Sequence, residues 1–305
     1  GPTPAPSRIS STISGFVIGT QTRRPVAGAR VTITADSRQD LTTDNNGAFT
    51  VSFSNVTFQQ VRIAIEAQGY VSRETQLRIN DTRQVVIDVI EDSPPFSLQL
   101  YRDLVRDAWD SERFGAAGRT GELERWTESP RVVVLNRVTL LPGRDLVLTD
   151  ESVDTARLQF ILEEARVAFR DWTNVRYELG TVELLEDLPV YTEIARNGKG
   201  VFTIHFIRDW NCGCAAGGGL DPKSQNGGIT FNYPFTLTAR DSSLRSVTIH
   251  EVGHAAGFFH TRLSGTIMNS AIGSISPVER YHADIAYNRP IGNMDPDRDP
   301  ASFAF

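Results

Sequence analysis

The sequence predicts two domains, an all-β antiparallel sandwich followed by an α/β domain. Three observations carry this. Short runs of alternating apolar and polar residues, parted by turn residues about every eight to twelve positions, fill the first ninety residues or so. Beyond Asp92-Ser93-Pro94-Pro95 the pattern changes to helical spacings interleaved with apolar strands. A length of 305 residues is long for one domain and comfortable for two. The expected divisions are a linker over 1–8, a sandwich over 9–91 and a second domain over 92–305. Gly1-Pro2 reads as the scar of a removed tag, and Thr3 to Ser7 as the tail of a linker.

In the first domain the alternating runs are residues 13–18, 29–35, 48–53, 61–67, 72–79 and 84–90. Arg24-Pro25, Asp44-Asn45-Asn46-Gly47, Gln68-Gly69 and Asn80-Asp81 supply the turns. Asp44-Asn45-Asn46 reads as a self-bonded turn and not a calcium loop, because no acidic ligand follows at a matching offset. Phe49 and Val51 are expected in the core.

In the second domain Leu98, Tyr101, Leu104, Val105, Ala108 and Trp109 repeat at helical spacing, and a Gly-rich loop follows at 115–121. Residues 131–135 read as a strand. Leu158, Ile161, Leu162, Ala165, Phe169 and Trp172 form one apolar stripe, with Thr149-Asp150-Glu151-Ser152 as its capping region. Residues 201–207 read as a central strand, Phe202, Ile204 and Phe206 on one face and Thr203 with His205 on the other. A later helix starts near Asp241-Ser242-Ser243 and packs through Leu244, Val247 and Ile249. The last helix opens at Ser276-Pro277-Val278-Glu279, carries Tyr281, His282, Ile285 and Ala286, and stops before Arg289-Pro290. His205 and His282 have no ligand spacing and are expected to be structural.

Composition narrows the partners. A hydrophobic fraction of 40% with 22% charged residues is ordinary globular usage, and a net charge of −6 without a basic stripe excludes a nucleic-acid partner. No run approaches the roughly 18 apolar residues of a membrane span. Nothing sets an oligomeric state.

Chemistry concentrates in His250-Glu251-Val252-Gly253-His254-Ala255-Ala256-Gly257-Phe258-Phe259-His260. Two histidines four apart lie about 40° from each other round a helix, so both rings face one metal. Gly257 lets the chain leave the helix at positive φ and return His260 as a third ligand. Three protein ligands leave a fourth position open, the mark of a catalytic zinc site, and Glu251 can reach a water there without displacing a ligand. A lone helix-face histidine is usually a satisfied core residue. Here four residue types and a glycine fall at fixed offsets.

This string, followed by Ser264-Gly265-Thr266-Ile267-Met268-Asn269, resembles the metzincin clan of zinc endopeptidases. Residues 227–233 resemble the strand before the zinc helix in matrixin-like members, and Ala216-Gly217-Gly218-Gly219-Leu220 resembles the edge strand before that. Thr261 departs from the residues that astacins, adamalysins, matrixins and serralysins place after the third histidine, and Ser270 from the Tyr of astacins and serralysins, so the clan is assigned and no family within it. The resemblance implies a twisted mixed sheet with a backing helix, a zinc helix and a C-terminal helix. It also implies Zn²⁺ held by His250, His254 and His260, Glu251 as general base, and Met268 beneath the metal. A protein or peptide substrate would lie along Gly217, Gly218, Gly219 and Leu220, in an exported protein.

Gly15-Phe16-Val17, the run from Pro25 to Val31, the run from Thr43 to Phe49 and Gly69-Tyr70 resemble the carboxypeptidase regulatory-like, or transthyretin-like, domain over 9–91. Two readings compete with a protease. One is a binding or adhesion protein with a vestigial metal site, which leaves Glu251 unexplained. The other is an exopeptidase, suggested by the sandwich alone, which carries no zinc ligands. No serine-nucleophile elbow occurs. Cys212-Gly213-Cys214 lacks the second pair of a metal site and leaves a disulfide or two thiols.

Overall fold

A computed structural model describes residues 9–35, 37–56, 60–79, 83–115, 120–142, 145–210 and 214–305. The chain forms two compact units, Gly1–Leu98 together with Gly292–Phe305, and Gln99–Ile291. The predicted turn at Asn80-Asp81, the N-terminal linker, most of the 115–121 loop and Cys212 lie outside the described residues.

Among the described residues the first unit is a sandwich of seven strands: β1 (Ile9–Gly19), β2 (Arg30–Thr34), β3 (Arg38–Thr42), β4 (Ala48–Val56), β5 (Gln60–Glu66), β6 (Arg73–Arg78) and β7 (Arg83–Val89). One sheet has the order β4-β1-β7 and the other β3-β2-β5-β6. Alternate residues such as Ile13, Val31, Phe49, Val51, Ile63, Leu77 and Ile87 fill the space between them. Gly47 takes φ +71° in the predicted turn at 44–47, and the Asp44 carboxylate accepts from the Asn46 and Ala48 amides, both at 2.8 Å.

Three features differ from the sequence reading. β3 is a strand that no apolar alternation announces; its residues are exposed or half-buried at a sheet edge. The sandwich is not wholly antiparallel, since β1 and β7 pair in parallel. β6 and β7 belong to opposite sheets, so their connection crosses the sandwich and is free of the hairpin constraint that enforces antiparallel pairing.

The third difference is the C-terminal tail, expected in the second domain but packed here with the first. It runs along β6, the end strand of its sheet. The Glu74 amide donates to Asp297 (3.0 Å), Asp299 to Glu74 (2.8 Å), and Phe305 to Gln76 (3.0 Å). Arg73 supplies the reason. Its guanidinium is 1% exposed and donates to Asp88 and to Asp299, each at 2.8 Å, and a charge so buried needs such partners.

The second unit contains α1 (Leu98–Arg106), α2 (Ala108–Arg113), β8 (Arg131–Leu135), β9 (Arg137–Leu140), β10 (Val147–Ser152), α3 (Thr155–Trp172), β11 (Val182–Leu185), α4 (Leu188–Asn197), β12 (Val201–Arg208), β13 (Ala216–Asp221), β14 (Asn226–Asn232), α5 (Tyr233–Thr238), α6 (Asp241–Ala255), α7 (Ile267–Ser270) and α8 (Pro277–Tyr287). Its strands make one mixed sheet, β10-β9-β12-β14-β13, with β8 joined to β12 and β11. β12 is parallel to β8, β9 and β14, whereas β13 is antiparallel to β14 and closes the sheet at that edge.

α3 buries Leu158, Ile161, Ala165, Phe169 and Trp172, the predicted stripe save Leu162. Its cap is Asp154, which accepts from the Arg157 amide at 2.8 Å; Thr149 to Ser152 belong instead to β10. The first helical stretch also breaks where its spacing runs on. Asp107 takes φ +55°, so α2 leaves the axis of α1. Among the described residues no helix is long and apolar enough to cross a membrane.

Candidate metal centre

α6 is buried on several sides through Leu244, Ile249, Val252 and Ala255, which leaves its position little freedom. Trp172 of α3 donates its indole N–H to the Ile249 carbonyl at 3.0 Å, and Trp126 does the same to Ala255 at 2.7 Å. His250 and His254 share one face. Gly257, at φ +96°, ends the helix where a Cβ would lie 2.3 Å from the Glu124 carbonyl oxygen. The chain then turns back and brings His260 to the other two rings.

The three imidazoles form the group among the described residues able to hold a metal ion, with their nitrogens within 4.8 Å of one another. Nε2 of His254 lies 3.2 Å from Nε2 of His250 and 3.2 Å from Nε2 of His260. The remote nitrogens are all engaged. Nδ1 of His250 donates to the Ile267 carbonyl and Nδ1 of His254 to the Phe258 carbonyl, both at 2.8 Å; Nδ1 of His260 donates to Asp110 at 2.6 Å. A carbonyl only accepts, so these contacts place the proton on Nδ1 and leave a lone pair on Nε2. Desolvation holds His254 down at about 3 and lowers His250, which keeps both rings neutral.

Glu251 is buried beside them. Desolvation raises its carboxyl to about 7, against a smaller opposing effect from the Gly218 amide, which donates to it. Its Oε2 has no protein partner. Met268 is fully buried against α6, and a Cβ on Gly253 would meet its sulfur at 2.6 Å. Only a glycine lets this methionine pack so closely under the helix. The turn that carries Met268, called here the Met turn, is held from two directions. Glu279, buried at the start of α8, accepts from the Ile267 (3.1 Å) and Met268 (3.0 Å) amides. Thr261 hydrogen-bonds Thr266 side chain to side chain at 2.7 Å.

These groups face a cleft of about 620 Å³, lined along one side by β13. All four glycine-run residues named from sequence, Gly217, Gly218, Gly219 and Leu220, line it. Their backbone directions separate them. The Asn232 amide donates to the Ala215 carbonyl at 2.9 Å, so pairs alternating from there turn Gly217 and Gly219 towards β14. Ala216, Gly218 and Leu220 are left with main-chain groups on the open edge. Cys214, at the same rim, is disulfide-bonded.

His205 and His282 stay apart from the cleft. His205 bonds Thr139 at 2.8 Å, and His282 donates to the Val278 carbonyl at 2.7 Å. Sequence reading missed two contributors. Asp110 stands 150 positions from His260, with no spacing to link them. Glu279 was legible as a helix-start residue, but its grip on the Met turn was not.

Residues 12–90 match the carboxypeptidase regulatory-like domain family. No curated protein matches the chain. Among solved structures, 3-chlorocatechol 1,2-dioxygenase from Rhodococcus opacus is 15% identical over 28% of this chain and 60% of its own, with a TM-score of 0.24. The minor pilin GBS52 of Streptococcus agalactiae is 14% identical over 30% and 48%, TM-score 0.24. Klebsiella pneumoniae 5-hydroxyisourate hydrolase is 15% identical over 27% and 92%, TM-score 0.23. The chain thus spans less than two thirds of the dioxygenase and of the pilin. Its N-terminal sandwich is a carboxypeptidase regulatory-like domain.

Proposed function

We propose that Gln99–Ile291 is a zinc-dependent endopeptidase of the metzincin type, exported from the cell, that cleaves extended peptides with Glu251 as general base. The observation that carries this reading is the meeting of three imidazoles, with Nε2 of His254 3.2 Å from Nε2 of both His250 and His260. Lone pairs facing one another repel unless a cation lies among them. Nitrogens on one tetrahedral zinc with arms of about 2.0–2.1 Å are about 3.3 Å apart, so the donor set fits that ion. Zinc held there would supply Lewis acidity, polarising the scissile carbonyl and acidifying water.

The remaining work falls to side chains. Glu251 takes a proton from the attacking water and hands it to the leaving amine, a role worth about 10²–10⁴ in rate. Gly218 holds the carboxylate while Oε2 stays free for that proton. The open edge of β13 offers main-chain groups of Ala216 and Leu220 to an extended peptide, which would add as a further strand. The disulfide at Cys214 supports an oxidising, extracytoplasmic location.

Elemental analysis should find one zinc per chain, lost in His254→Ala and kept in His205→Ala and His282→Ala. The wild type should cut a long end-blocked peptide internally and stop when a chelator is added. Cleavage indifferent to chelator, or an unchanged zinc content in His254→Ala, would overturn the proposal.

A further inference from the structure

The third histidine is held differently from the first two. His254 donates to a carbonyl of its own helix–turn segment and His250 to a carbonyl at the start of α7, but His260 donates to a carboxylate from α2. α2 is pinned to the loop that carries His260 by several contacts. The Phe259 amide donates to the Leu104 carbonyl of α1 at 2.8 Å. Arg262 donates to both carboxylate oxygens of the fully buried Asp103 (2.8 and 3.1 Å) and to Glu112 (2.8 Å), and its guanidinium lies 4.8 Å from the Trp109 ring centre. The turn at Asp107 is what aims α2, and with it Asp110, at the ring. Asp110 has further charged neighbours in Arg113, at 3.6 Å, and Asp107.

We infer that Asp110 is a positioning residue of the metal centre, fixing the orientation and tautomer of His260 so that its Nε2 faces the other two rings. This rests on the reading of the triad as a zinc site. A carboxylate behind a ligating imidazole fixes the ring and raises its basicity as a ligand, and its loss typically weakens metal binding about 10- to 100-fold. The centre then depends on two segments far apart in sequence, because α1 and α2 must be docked before His260 is set. Asp110 acts through His260, meeting Nδ1, the ring nitrogen remote from the other two imidazoles.

The test is zinc affinity by competition with a chromophoric chelator, in the full chain. Asp110→Ala should bind zinc about 10- to 100-fold more weakly, and Asp110→Asn, which keeps an acceptor but not the charge, should fall between it and wild type. Glu183→Ala, which removes an exposed carboxylate paired with Arg131 and not lining the cleft, should stay within about threefold of wild type. Equal affinity in Asp110→Ala, or an equal loss in Glu183→Ala, would overturn the inference. A second readout needs no metal. Imidazole nitrogen NMR of the zinc-free protein should place the His260 proton on Nδ1 in wild type and on a mixture of nitrogens in Asp110→Ala. An unchanged tautomer there rejects Asp110 on its own, whereas a wild type that binds no zinc rejects the zinc reading and leaves the tautomer result to judge the contact.

Discussion

The amide of Gly218 donates to the Glu251 carboxylate, and a Cβ on Gly218 would stand 2.4 Å from the Glu251 carbonyl oxygen. One glycine therefore sets both the approach of the edge strand to α6 and the anchoring of the proposed base. Its amide is spent on Glu251 and is not available to a bound peptide.

Gly218→Ala should for this reason disturb turnover more than binding of the metal. The added methyl must push β13 away from α6, and a displacement of about 1 Å near the reacting groups can cost about 100-fold in kcat. Zinc content should remain at the wild-type level. A variant with wild-type kcat would show that Glu251 does not rely on this amide. Gly219→Ala, whose Cβ would meet nothing within 4 Å, is the matched control.

Glu251→Gln keeps the shape and the hydrogen-bonding reach of the side chain but cannot shuttle a proton. It should retain zinc and the fold, and lose about 10²–10⁴ in kcat. Cleavage within about tenfold of wild type would remove Glu251 from the role of general base.

His205 should make the stability of the second unit fall in acid. Burial pushes it down to about 4 from an ordinary 6.5, so the folded state keeps a neutral ring while the unfolded chain takes up a proton. Its contribution is full above pH 6.5 and is lost as pH falls towards 4, a change of at most about 3 kcal/mol. Urea unfolding of zinc-free wild type and His205→Phe across that range should give stability curves that converge in acid. Parallel curves would mean that His205 takes no part in the acid sensitivity.

The C-terminal tail should be needed by the sandwich and not by the metal centre. Asp299→Ala leaves the Arg73 guanidinium, 1% exposed, with Asp88 as its remaining carboxylate partner. Breaking a buried pair in this way costs about 3–5 kcal/mol, so the sandwich should melt earlier while zinc content is unchanged. A recombinant fragment of residues 99–291 should fold and cleave small peptides, and its failure to do so with zinc bound would show that the first unit helps build the site.

Local spacing made much of this legible. The offset of four between His250 and His254, the glycine at 257 and the return to His260 follow from helix geometry alone, as do the buried stripe from Leu158 to Trp172 and the alternation of the sandwich strands. What the tertiary structure decided is partnership. The parallel pairing of β1 with β7, the exposed strand from Arg38 to Thr42, the Arg73–Asp299 pair and the Asp110–His260 contact join residues whose own neighbourhoods carry no sign of each other. Periodicity in a sequence records which face of an element avoids water. Which remote carboxylate satisfies a buried arginine or a histidine N–H is settled only when packed elements bring the two together and the cost of leaving either unpaired must be met.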